Sequence, residues 1–254
     1  MKRSFVKDSL RVGIYESRAA MGAAAAADVS ACIAALMKEK PFINMIFAAA
    51  PSQNEVLASL AADRSICWER INAFHMDEYI GLDRDAPQGF GNFLKEHLFE
   101  LVPFATVNLI SCEAEDAEAE CKRYASLLAA FPPDIVVMGI GENGHIAFND
   151  PPVADFKDPL AVKPVPLDPV CRQQQVNDGC FARLDDVPLT AITLTVPTLV
   201  SAPHLFCVVP ASTKADAVKK TVEGSIGEHC PATALRLHPD ATLYLDPDSS
   251  ALLG

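Results

Sequence analysis

The sequence predicts an α/β protein: a single domain on a mostly parallel, Rossmann-like sheet with helices on both faces. Two observations carry that expectation. Short apolar runs alternate with longer helix-forming runs along nearly the whole chain, which is the pattern of βα units. The 254 residues, 50% hydrophobic and 21% charged, are enough for one large buried core and too apolar for a disordered chain. No internal repeat is present.

The elements follow in order. Leu10–Tyr15 (LRVGIY) is the first predicted strand. Ser17 to about Lys38 is Ala-rich and free of Pro, with Met21, Val29, Ile33, Leu36 and Met37 on roughly one side, so it predicts a helix. Ile43–Ala50 (INMIFAAA) is a buried strand, and Ser52 after Pro51 is placed to cap a helix reaching about Ala62. Ile71–His75 is a strand. The stretch Gly81–Gly91, rich in Asp, Pro and Gly, is a loop. Phe93–Leu101 reads as a helix, Val107–Ser111 as a strand, and Ala114–Ala130 as a charged amphipathic helix. Asp134–Gly139 (DIVVMG) is another buried strand. From Phe148 to about Asp186 the chain is Pro-rich and lacks clear periodicity, which predicts a lid over about 150–187. Alternation resumes at Ala191, with a strand at His204–Val209, a helix from Ser212 to about Val222 and a closing strand at Thr242–Leu245.

Charge and cysteine usage narrow the function. Twenty-one Lys and Arg against 33 Asp and Glu give a formal charge of −12, which argues against nucleic acid or an anionic membrane as partner. No run of about 18 uninterrupted apolar residues predicts a membrane span. The start, MKRSFVKDSLRVGIYESR, lacks the apolar region of a secretory signal, so a cytoplasmic location is expected. The eight cysteines form no CxxC pair and read as reduced thiols. Cys171 and Cys180 are the closest two, and nothing in the sequence supports a bridge between them. The six His show no HxH or HxxxH spacing, so no metal centre is expected.

Gly139-Ile140-Gly141-Glu142-Asn143-Gly144 is a literal GxGxxG after a strand. A dinucleotide site needs a helix to open there. The continuation HIAFNDPPVADFKDP has prolines at 151, 152 and 159 and leaves no room for one. The glycines instead suit close backbone approach to another anion or a sugar. Ligands of such sheets bind beyond the C-terminal strand ends, and polar chemistry gathers there. Asp77 and Glu78 follow one strand; Glu142, Asn143, His145, Asn149 and Asp150 follow another. Ser52 and Gln53 follow a third, and Ser212 and Lys214 start a helix after a fourth, a plausible phosphate cradle. A capped loop, a hydrogen-bonded core histidine and a simple N-cap are the competing readings of Asp77–Glu78, His145 and Ser212. Carboxylate plus His without a nucleophile elbow suits proton transfer on a carbonyl compound or ring opening.

These residues carry a resemblance. Phe74-His75-Met76-Asp77-Glu78-Tyr79-Ile80-Gly81-Leu82, the Asp134–Pro151 run containing GHIAFNDP, Thr221-Val222-Glu223-Gly224 and Leu235-Arg236-Leu237-His238-Pro239 are similar to the glucosamine-6-phosphate deaminase and isomerase family, which also contains the 6-phosphogluconolactonases. The similarity runs from about residue 10 to 246. MDEY and IAFN after Gly-His favour the deaminase branch. The resemblance implies that His145 assists opening of a pyranose ring and that Asp77 moves a proton between C2 and C1. An imine at C2 then loses ammonia to water. Asn143 and Asp150 support His145, with Glu78, Gly141 and Gly144 near the substrate and no metal or organic cofactor required.

Departures from the family pattern are expected to matter. Asn143 stands where the family usually has Asp, and Asp150 where it has Glu. Ala48-Ala49-Ala50-Pro51-Ser52 replaces a glycine-rich phosphate loop. The family's lid arginine falls on Gly179, so Arg172 is a candidate stand-in, beside Ser52, Gln53, Ser212 and Lys214. Lys157 is the only basic residue at 153–162, which predicts no allosteric activation by N-acetylglucosamine 6-phosphate. A homo-oligomer is possible but not required. The substrate expected is glucosamine 6-phosphate. Galactosamine 6-phosphate, an unphosphorylated sugar, a 6-phosphogluconolactone and a non-catalytic sugar-binding role remain alternatives.

Overall fold

A computed structural model describes all 254 residues. The strands are β1 (Arg3–Lys7), β2 (Leu10–Ile14), β3 (Ile43–Phe47), β4 (Ile71–His75), β5 (Asp77–Tyr79), β6 (Thr106–Asn108), β7 (Ile135–Met138), β8 (Val162–Pro166), β9 (Thr190–Leu194), β10 (His204–Val209) and β11 (Ala241–Leu245). The helices are α1 (Arg18–Leu36), α2 (Asn54–Ala62), α3 (Phe90–Leu94), α4 (Ala117–Ala130), α5 (Pro169–Asn177), α6 (Val196–Val200) and α7 (Ala215–Glu223).

Eight strands form one sheet in the order β1-β2-β11-β10-β7-β3-β4-β6. Every pairing in it is parallel except that of β1 with β2. A smaller antiparallel sheet, β5-β9-β8, sits beside it. The period-two rule shows in the central strands. Ile135 and Val137 of β7 and Phe206 and Val208 of β10 face α1 and α2. Val136, Met138, Leu205, Cys207 and Val209 face the opposite core, where Tyr124 and Leu128 of α4 and Val218 and Val222 of α7 pack. A sheet buried on both faces needs such continuous apolar strands.

The predicted α/β class is borne out, with local corrections. β1 is largely exposed, and its alternation is too weak to mark a strand. The third helix starts earlier, at Phe90, and continues into a π turn, Lys95–Phe99. The strand at 107–111 is shorter and sits at Thr106–Asn108. The lid is not structureless: it contains β8 and α5, the latter capped by Asp168 accepting from the Val170 N–H at 2.8 Å. Ser52 caps no helix. It lies in a short 3-10 turn, Pro51–Gln53, and its hydroxyl accepts from Gln53 Nε2. By length and composition α1 could cross a membrane, although no uninterrupted apolar run was expected. Here Met21, Val29 and Ile33 are buried in the core and the helix packs on α2, β10 and β11.

Candidate active site

Strand order reverses between β3 and β7: the chain steps outward from β3 to β4 and β6, then returns to β7 on the other side of β3. Side loops diverge at such a point and open a crevice at the C-terminal ends. A cleft of about 490 Å³, counting its open mouth, lies there. Ala48 to Ala50, Ser52 and Gln53 follow β3, and Gly139 to Gly141 follow β7. Met76 and Asp77 follow β4, Lys214 follows β10, and His145, Phe148, Gln174 and Gln175 complete the wall.

Asp77 is almost fully buried at the start of β5, opposite Thr193. Burial, and then the adjacent Glu78 carboxylate, push its carboxyl well above the usual range. His145 is anchored through Nδ1, which lies 2.8 Å from Asn143 Oδ1 and 3.0 Å from Asp150 Oδ1. Asn143 also accepts from the His145 backbone N–H at 3.0 Å and donates through Nδ2 to Asp150 Oδ1 at 2.8 Å. A proton on Nδ1 satisfies this arrangement and leaves Nε2 as an acceptor. Burial works to raise the Asp150 carboxyl, but the hydrogen bond and electrostatic pull of His145, with the Asn143 amide, hold it below the usual value. Lys214 is 4% exposed, and its Nζ has no hydrogen-bond partner. Burial lowers its affinity for the proton, opposed by Asp178, Glu142 and Cys171. A buried ammonium without a partner is costly unless an anion completes it. Gln53 Nε2 reaches Ser52 Oγ at 3.1 Å and the Val208 carbonyl at 3.2 Å, while its Oε1 is unpartnered.

Several residues expected at the substrate do other work. Glu78 points away: Oε1 accepts from the Tyr79 and Phe90 N–H groups and Oε2 from Gly91, at 2.8–3.0 Å. Burial pushes its carboxyl up to about 6 even against these donors. Arg172 also leaves the cleft, donating through Nη2 to the Leu184 and Val187 carbonyls at 2.6 and 2.8 Å. Ser212 is exposed and does not line the cleft. Gly144 turns the chain at φ +89°, with Cys230 Sγ 2.6 Å from where a Cβ would stand. Gly141 does line the cleft, but its missing side chain makes room for the imidazole: a Cβ would lie 2.1 Å from His145 Cε1. His75, in the same motif as Asp77, is a core histidine. Its Nε2 accepts from the Ile110 N–H at 2.8 Å, and burial pushes it down to about 3. Gln174 and Gln175 carried no functional signal beyond lying in the lid, yet α5 folds them into the wall. Gln174 Oε1 accepts from the Glu142 N–H at 2.8 Å. His145, Asp150 and Cys171 of α5 place donor atoms within 4.8 Å of one another, the one grouping that suits a metal ion. All eight cysteines are free thiols.

Residues 16–244 match the family model of glucosamine-6-phosphate isomerases/6-phosphogluconolactonase. The chain belongs to this family. It is 35% identical over 215 residues to glucosamine-6-phosphate deaminase of Bacillus cereus (strain B4264), covering 85% of this chain and 79% of that one. Identity and coverage are the same against the Bacillus thuringiensis (strain Al Hakam) enzyme. Among solved structures, a monomeric glucosamine-6-phosphate deaminase matches with TM-score 0.86 and 29% identity, over 95% of this chain and 99% of that one. The 6-phosphogluconolactonase of Trypanosoma cruzi matches at TM-score 0.80 and 17% identity over 98% of each, a likeness of fold alone.

Within the glucosamine-6-phosphate isomerase/6-phosphogluconolactonase family, the departures of this chain acquire structural content. Asn143 keeps both contacts to His145 without a charge, so Asp150 is the only carboxylate on that imidazole's Nδ1 side. Arg172 does not line the cleft: its Nη2 is bonded to two carbonyls inside the lid, and its buried Nε has no partner. Lys214 is then the one Lys or Arg lining the cleft.

Proposed function

We infer that this chain is an amino-sugar-phosphate isomerase/deaminase that converts glucosamine 6-phosphate and water to fructose 6-phosphate and ammonia. The observation that carries the reading is the buried, unpartnered Lys214 ammonium in the same cleft as Asp77 and His145. In this reading the sugar phosphate supplies the missing anion, and the Ser52 hydroxyl, held by accepting from Gln53 Nε2, adds a neutral donor. His145 Nε2 takes the proton from the anomeric hydroxyl and returns one to the ring oxygen, opening the pyranose. Ionised Asp77 removes the C2 proton and delivers it to C1, and water displaces ammonia from the resulting C2 imine. The raised basicity of Asp77 favours the abstraction once its proton is lost, so the rate rises with pH as that carboxyl ionises.

The test incubates the purified protein with glucosamine 6-phosphate and follows ammonia and fructose 6-phosphate together. Equal release of both, abolished in Asp77→Asn, supports the reading. Turnover of galactosamine 6-phosphate or glucosamine instead overturns the substrate. Hydrolysis of 6-phosphogluconolactone without any ammonia overturns the reaction.

A further inference from the structure

The imidazole of His145 has a second face of chemistry, on the side away from the cleft. There its Nδ1 meets Asp150, which is 1% exposed and has one carboxylate oxygen, Oδ2, without a partner. Cys171, brought in by α5 and itself 1% exposed, completes a group whose donor atoms all lie within 4.8 Å of one another. Nδ1 and Asp150 Oδ1 are 3.0 Å apart. Two such ligands on one tetrahedral zinc, with bonds of about 2.0–2.1 Å, stand about 3.3 Å apart. Sulfur binds at about 2.3 Å, so closing the third corner takes a shift of roughly 1 Å.

We propose that His145, Asp150 and Cys171 form an inhibitory Zn²⁺ site that switches off the imidazole from behind. A thiolate, an imidazole and a carboxylate suit this borderline-soft ion and exclude Mg²⁺ and Ca²⁺, which require oxygen ligands. Charge balance favours it as well. One Zn²⁺, one thiolate and one carboxylate sum to zero in a place where a net charge is costly. On binding, the Cys171 thiol loses its proton to solvent. The His145 proton leaves Nδ1 while Nε2 gains one, so the ring stays neutral and one proton is released per ion. Asn143 Oδ1, relieved of its imidazole donor while still accepting the His145 backbone N–H, or a water fills the fourth position. Nε2 then faces the cleft as a donor and no longer accepts the proton that ring opening requires. The ion also ties α5 to the loop after β7 and holds the lid down.

The binding claim stands apart from the proposed reaction; only the inhibition rests on it. Co²⁺ serves as the spectroscopic probe. Titration of the wild-type protein with CoCl₂ is expected to give a sulfur-to-cobalt charge-transfer band that saturates at one ion per chain, releases one proton per ion, and disappears when ZnCl₂ is added. Cys171→Ser removes the band and weakens Zn²⁺ binding by more than the roughly 10- to 100-fold that loss of an outer-shell partner costs. Cys67→Ser, at an exposed thiol, leaves both unchanged. No band in the wild type, or a band that survives Cys171→Ser, overturns the site. Should Cys171→Ser fail to fold, the wild-type band and its proton count decide alone. In the activity arm, Zn²⁺ lowers kcat for ammonia release in the wild type and not in Cys171→Ser. A protein that binds Co²⁺ through sulfur yet deaminates no sugar overturns the reaction and leaves the site intact. One that deaminates but gives no band does the reverse.

Discussion

Asp77, the base in the proposed reaction, would trade stability against chemistry. Its carboxyl is held in a buried place that disfavours the charge, next to a second carboxylate. An acid whose folded pKa is raised costs the fold nothing below its unfolded value, near 3.8, and progressively more as pH climbs toward the folded value. Asp77→Asn is therefore expected to abolish ammonia release while raising the Tm at neutral pH, with the gain vanishing near pH 3.8 and below. Thermal unfolding across that range checks it. Lys214 makes the opposite bargain, since its ammonium waits for a counter-charge. Lys214→Gln removes a charged hydrogen bond worth about 1.5–3 kcal/mol. It is expected to raise KM for the phosphorylated sugar about 10- to 150-fold and leave weak turnover of the unphosphorylated sugar unchanged. An equal loss on both sugars would remove phosphate from the role of Lys214's partner.

At the scale of elements, polar groups that read as substrate contacts turn out to fasten loops. Glu78 satisfies three backbone N–H groups, two of them at the start of α3. That places the loop after Tyr79 without touching the cleft. Arg172 ties α5 to the 3-10 turn Leu184–Asp186 and the Val187 carbonyl, closing the lid on itself. Its removal leaves two carbonyls short of a charged donor, a loss of about 1.5–3 kcal/mol. Arg172→Ala is expected to increase protease cleavage within 169–187 several-fold while the melting of the main sheet barely moves. Limited proteolysis against circular dichroism separates the two effects. Cleavage unchanged from wild type would assign the lid's closure to other contacts. The aromatic group of Tyr79, Phe90, Phe148 and Phe181, with centroids 4.8–5.6 Å apart, joins α3, the loop after β7 and the lid. Through it the lid shares a packing unit with the wall of the cleft.

Across the whole molecule, the two chain ends meet. Arg236 is 7% exposed and bonds Asp8, in the turn between β1 and β2, and the Gly224 carbonyl after α7 at 2.6 Å each. Asp8 is half-exposed, so solvent replaces its share of the pair. Arg236→Ala leaves the part-buried Gly224 carbonyl and the half-exposed Asp8 carboxylate without their charged donor, and is expected to cost about 1.5–3 kcal/mol. Asp8→Ala is expected to cost more than a surface pair and less than Arg236→Ala. Urea denaturation of both variants gives the order, and an inverted order would locate the stabilisation at the turn. The family motif around Leu235-Arg236-Leu237-His238-Pro239 is thereby a structural clasp, with His238 bonding the Ala202 carbonyl at 2.9 Å.

The α/β class, the positions of β3, β4 and β7, and the placing of Asp77 and His145 just past strand ends were legible in the sequence, because each rests on local facts. Apolar periodicity decides which segments are strands, and a motif only a few residues long places its side chains just past a strand end. Asn143, His145 and Asp150 lie within eight residues, so their mutual bonds are short-range too. The orientation of Arg172 and Ser212, the seating of Gln174 and Gln175 in the cleft wall, and the meeting of Cys171 with Asp150 were decided only by the tertiary structure. Each depends on how a lid or turn crosses strands distant in sequence, and a backbone rotation of one residue on a helix turns a side chain from the cleft to the solvent. The sequence determined which chemical groups this protein carries to the strand ends; long-range packing decided which of them face the same space.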